Sequence, residues 1–91
     1  MSAARASRGA VRRINEPVPA DVWLGDDGRP TRVSWRGRAE QVECVLDTWY
    51  VDDAWWSDRP LRRIYHEVQL VTGVRLVLSW DLVAKRWLAQ R

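Results

Sequence analysis

Acid–base and nucleophilic catalysis need an imidazole, a thiol, an activated hydroxyl or paired carboxylates within reach of one another. This chain is sparing with all of them. It has one histidine, His66, and one cysteine, Cys44. His66 stands in the alternating run "RRIYHEV", on the same side as Ile64 and Val68. A packed histidine with one hydrogen bond is the expectation there, ahead of a general base. Cys44 falls on the side of Val42 and Leu46 by the same count, which predicts an inward, structural thiol. Asp52, Asp53 and Asp58 offer the oxygen ligands that hard cations take, but without EF-hand spacing, and a solvated acidic loop is expected instead. Neither a GxGxxG nor a GxxxxGK[ST] motif occurs, so no phosphate cradle is visible. Catalytic residues, a metal site, a cofactor and a small-molecule substrate are therefore not expected, and the chain reads as a non-enzyme.

Binding chemistry is better represented. The stretch "TWYVDDAWWSDRPLRRIYHEV", residues 48–68, gathers Trp49, Tyr50, Trp55, Trp56 and Tyr65 around Arg59, Arg62 and Arg63. Adjacent residues of a strand face opposite ways, so of Trp55 and Trp56 one is expected over the core and the other on the rim. An outer tryptophan beside Arg59, Arg62, Arg63 and Tyr65 would make an aromatic and cationic surface. Such a surface stacks bases, at roughly 1–3 kcal/mol each, or anchors a protein partner. The third reading is that the arginine stems simply cover the rings by cation–π contact. Trp35, Trp80 and Trp87 have apolar neighbours two residues away and are assigned to the core, together with Trp49.

What must position these residues is one small domain. Ninety-one residues bury only roughly 60–65% of the unfolded surface, so each core side chain has to contribute heavily. Seven Trp and no Phe meet that need, since one aromatic buries about 150–250 Å². A lone cysteine allows no internal disulfide, which suits a reducing interior. No apolar run approaches the roughly eighteen residues of a membrane span, and "MSAARASRGAVRR" lacks the apolar stretch of a secretory signal. A cytoplasmic location without membrane contact is expected. Residues 1–13 carry Arg5, Arg8, Arg12 and Arg13 without an acid, whereas the other 78 residues hold eleven Lys and Arg against twelve Asp and Glu. The net charge of +3 thus belongs to a basic arm, read as disordered, on a nearly neutral domain spanning 14–91.

Within that domain the apolar spacing is that of strands. Asp27-Gly28 marks a hairpin. "TRVSWR" alternates, with Val33 and Trp35 on one side, and Gly37 permits a tight turn after it. "AEQVECVLDTWYV" extends the pattern, with Val42, Cys44 and Leu46 opposite Gln41, Glu43, Val45 and Asp47. Pro60 argues against a central strand through "DDAWWSDRP". "RRIYHEVQLV", "VRLVLSW" and "KRWLAQ" supply further strands, with turns at Thr72-Gly73 and "DLVAK". Short turns and near-absent helix signals predict an all-β antiparallel meander of five or six strands, curved or closed as a small barrel.

The pattern "VSWRGR", then "V..VLD.W", the paired Trp, "RR.Y" and a late "D…..W" resembles a bacterial family of small Trp-rich domains of unknown function. Similar sequence occurs in the C-terminal region of ImuB-type proteins, relatives of Y-family DNA polymerases. The resemblance spans about residues 14–91 and rests on Trp35, Arg36, Gly37, Arg38, Val45, Leu46, Trp49, Trp55, Trp56, Arg62, Arg63, Tyr65, Asp81 and Trp87. Where the family often has Tyr-Tyr or Tyr-Phe, this chain has Tyr65-His66, a departure from the pattern at the position where the resemblance would place an aromatic platform. The resemblance implies an accessory role in translesion synthesis or DNA repair, with a DNA polymerase-family protein, single-stranded DNA or both as partner. It carries no catalytic residue. The candidate contacts are Trp55, Trp56, Arg59, Arg62, Arg63 and Tyr65, with Arg36, Arg38 and the arm residues Arg5, Arg8, Arg12 and Arg13. The alternative expectation is a protein-interaction adaptor that binds no nucleic acid.

Overall fold

Tight turns fold this chain into a ladder of antiparallel strands. A computed structural model describes residues 16–53, 58 and 60–91. Its strands are β1 (Val18–Leu24), β2 (Pro30–Trp35), β3 (Arg38–Asp53), β4 (Leu61–Leu70), β5 (Arg75–Asp81) and β6 (Arg86–Gln90). Each pairs with the next, and β6 returns to β1, closing a barrel. Closure removes the two free edges that an open six-stranded sheet would present. The all-β meander expected from the alternation is the observed fold, and no helix occurs among the described residues.

Each turn uses the residue that its backbone requires. Between β2 and β3 only Arg36 and Gly37 intervene, since Trp35 pairs with Arg38. Both have positive φ, 51° and 75°, the geometry of a type I′ hairpin whose twist matches the flanking strands. Gly37 adopts it freely, whereas Arg36 holds a left-handed conformation that β-carbons disfavour. At the β1–β2 turn Gly28 has φ 81°, and the Asp27 carboxylate accepts from the Arg29 N–H at 3.0 Å. The β5–β6 turn is organised by Asp81, whose Oδ1 accepts from the N–H groups of Val83 and Ala84, both at 2.9 Å.

The 16-residue β3 departs from simple alternation. Its pairing with β4 slips between Val42 and Cys44 and again between Val45 and Asp47. A bulge inserts one unpaired residue, and each insertion flips every later side chain to the other face. Val42 and Val45 therefore both pack on the core, while Cys44 and Leu46 are exposed. This corrects the expectation that Cys44 and Leu46 point inward. After the second bulge Thr48, Tyr50 and Asp52 share the inner face with His66, Ile64 and Arg62 opposite, and Trp49 faces outward with Tyr65. Trp49 is 38% exposed, so it does not belong to the core as the sequence suggested.

The core fills one end of the barrel. Val33, Val68, Leu70, Leu76, Leu78 and Ala89 are buried there, closed over by Trp35. The Trp35 indole N–H points at Glu40 Oε2, 3.4 Å away, and the Arg36 guanidinium lies 5.6 Å from its ring centre. Trp87 packs against the same cluster from the other side.

Candidate functional site

Two surfaces away from Trp35 carry most of the described aromatic residues that are not buried in the core. The first is the outer side of the β3–β4 ladder. β3 gives residues 38–41 to β2 and then residues 42–53 to β4. Among the described residues no strand pairs with its second edge from Val42 onward. The ladder also continues two pairs, Asp52↔Arg62 and Asp53↔Leu61, beyond the last β4–β5 pair at Arg63↔Asp81. An unpaired strand edge of this length is a template for another strand.

The side chains along that edge are unusual for a protected one. Leu46 and Tyr50 are 43% and 52% exposed. Trp49 stacks on Tyr65 with ring centres 5.3 Å apart and an interplanar angle of 3°. Next to this pair on the outer face, Asp47 stands opposite Glu67, and Glu43 accepts from Gln69 Nε2 at 3.3 Å. Like charges directly across a ladder repel, so this face is poised for a cation rather than a phosphate.

The arginines are spread and mostly engaged. Arg62 is on the inner face, its Nε 3.6 Å from Asp52 Oδ1. Arg63 is on the outer face beside Tyr65, its Nε 3.5 Å from Asp81 Oδ2. That buried Nε has no hydrogen-bond acceptor among the described residues, so Asp81 compensates its charge at a distance too long for a good bond. The two backbone N–H bonds, that of Ala84 first, and then the arginine hold the Asp81 carboxyl below its ordinary pKa. One common face for Arg62, Arg63 and Tyr65 is thus not what the fold builds, because adjacent strand residues diverge. Arg36 and Arg38 are farther still, at the other end of β3. Trp55, Trp56 and Arg59, and the arm with Arg5, Arg8, Arg12 and Arg13, lie outside the described residues.

The second surface is the mouth of the barrel. Leu24, Gly28, Ile64, His66, Trp80 and Trp87 line a cavity of about 270 Å³. Trp80 and Trp87 pack tilted against each other, 5.3 Å between ring centres at 47°, and the His66 ring lies 6.0 Å from Trp87. His66 Nδ1 and Thr48 Oγ1 share a hydrogen bond of 3.0 Å, which is the single bond that the sequence led one to expect. Burial lowers the His66 pKa, favouring the neutral ring.

The chain's one thiol and one imidazole consequently lie on opposite sides of the barrel wall, Cys44 beside Gln69 outside and His66 inside. They form no Cys–His pair. Among the described residues no group of three His, Cys, Asp or Glu side chains could hold a metal ion, and no helix is long and apolar enough to cross a membrane. Sequence reading missed the exposed Leu46, Trp49 and Tyr50 edge and the aromatic mouth. The signal for the edge was the length of the run 38–53, longer than any partner strand could cover.

The class defined by fold and surfaces is a small closed antiparallel β-barrel with one overlong strand. No protein-family model, curated protein or solved structure matches the chain.

Proposed function

We propose that this is a non-catalytic interaction module that takes up an extended, basic segment of a protein partner along the free edge of β3. The observation that carries this reading is the edge itself. Among the described residues it is unpaired from Val42 onward, it exposes Leu46, Trp49 and Tyr50, and it is flanked by the acidic Asp47–Glu67 pair. Strand addition would satisfy the open backbone groups, and aromatic side chains beside carboxylates suit Lys or Arg side chains on the added strand. The resemblance to the C-terminal region of ImuB-type proteins supports a partner among DNA polymerase-family proteins, and with it an accessory role in translesion synthesis or repair.

Direct DNA binding is the second reading, favoured by the four arginines and no acid of residues 1–13. The ion pairs of Arg62 and Arg63 and the acidic outer face weigh against the barrel itself as a phosphate surface. Two titrations separate the readings. With an ImuB-type polymerase relative, hydrogen exchange should show every second β3 amide between 47 and 53 gaining protection. With single-stranded DNA at two salt concentrations, any affinity should vanish when residues 1–13 are removed, together with its salt slope of about 0.7 per phosphate contact. Retained DNA affinity in the shortened chain, or protection absent from β3, refutes the partner reading.

A further inference from the structure

We infer that the mouth of the barrel is a binding site for a small, neutral, planar molecule of one or two fused rings bearing a single polar substituent. This site is separate from the β3 edge and does not depend on the partner reading. Barrel mouths are recurrent ligand sites because the strands fix a rigid ring of inward side chains around them. Size sets the ligand. A cavity of about 150 Å³ accommodates benzene, so about 270 Å³ suits a bicyclic ring system.

Chemistry narrows it further. None of the six described lining residues is an acid, a lysine or an arginine, and the neighbouring inner-face charges, Asp52 and Arg62, pair with each other, so an ionised ligand would find no ready counter-charge for its lost hydration. Leu24, Ile64 and the faces of Trp80 and Trp87 provide apolar and stacking surface. Among the described lining side chains, polar contact comes from the His66 ring, whose Nδ1 is already engaged by Thr48, and the two indole N–H groups, for which no acceptor occurs among the described residues. One hydroxyl or carbonyl on the ligand can be satisfied there. A nucleobase, with polar atoms around most of its perimeter, would leave several of them against Leu24 and Ile64, and each unpaired group is costly.

The test uses the full chain and 2-naphthol, followed through the indole N–H signals in nitrogen-correlated proton spectra. The expected result is a saturable one-to-one shift concentrated on Trp80 and Trp87, with Trp23 and Trp35 unmoved. Leu24→Trp, at a half-exposed rim position, should fill the mouth and weaken binding at least tenfold while the Trp35 signal stays in place. Naphthalene-2-sulfonate and adenosine should bind at least tenfold more weakly than 2-naphthol. Shifts spread over all the tryptophans, an absence of saturation, equal or tighter binding of adenosine, or unchanged affinity in Leu24→Trp each overturn the site.

Discussion

The two ends of this barrel use tryptophan in opposite ways. At one end Trp35 is 8% exposed and closes over Val33, Val68, Leu70, Leu76 and Leu78, its indole N–H turned toward Glu40. At the other end Trp80 and Trp87 tilt against each other, and the space between them and Leu24 stays open. Beside them, Trp49 and Tyr65 stack on the outer face of the β3–β4 ladder. A chain this small needs only part of its aromatic surface to close a core. Trp49, Tyr65, Trp80 and Trp87 sit where aliphatic packing stops, and aromatic area kept at a surface is more readily explained by contact than by folding.

Breaking the closed end should have the largest effect. Leu78→Ala removes a fully buried side chain and should cost about 3–4 kcal/mol in denaturant unfolding, because the surrounding strands cannot collapse into the space. Asp81→Ala comes next. It deletes two charged turn bonds and the counter-ion of Arg63, a loss of about 2 kcal/mol once partial exposure is discounted. At the open end, Trp49→Ala removes only a stacked pair and should cost about 1 kcal/mol. Equal losses at Leu78 and Trp49 would erase the distinction between the ends.

The His66 pKa is lowered on folding, so the unfolded chain binds the proton more readily. The stability contributed by the neutral ring is full above about 6.5 and is lost as pH falls below that value. Unfolding midpoints should drop between pH 7.5 and pH 5, and His66→Gln should flatten that drop. Asp81, also lowered, contributes stability that survives this range and is lost only as pH falls below its ordinary 3.8. The smallest effect belongs to Cys44→Ser, which should stay within about 0.5 kcal/mol at an exposed position; a core-sized loss would mean that the bulges are misplaced.

Much of the fold was legible. Alternation in "TRVSWR" and "RRIYHEVQLV" placed Val33, Trp35, His66, Val68 and Leu70 on the inner face, and the Gly37 and Gly73 turns fell where positive φ was required. Reading failed in β3, where two unpaired residues reversed the alternation twice. Nothing in the local sequence "QVECVLDT" distinguishes a bulge from a regular strand, since its position depends on which β4 residue stands opposite. The candidate site was less legible for the same reason. Arg62 and Arg63 were grouped by nearness in sequence, whereas strand geometry sends them to different faces with different acidic partners. The barrel mouth depends on Leu24, Ile64, Trp80 and Trp87 from four strands, a convergence that only closure of the sheet creates.

The proposed division, binding at the β3 edge and folding at the Trp35 end, turns on Trp49. Calorimetric titration of an ImuB-type polymerase relative into wild type and Trp49→Ala, beside unfolding curves in the same buffer, reads both properties. On that division an affinity loss of about 2 kcal/mol or more is expected, as for a central aromatic anchor, with no more than about 1 kcal/mol of stability lost. Unchanged affinity in Trp49→Ala, or an affinity loss no larger than the stability loss, would contradict it.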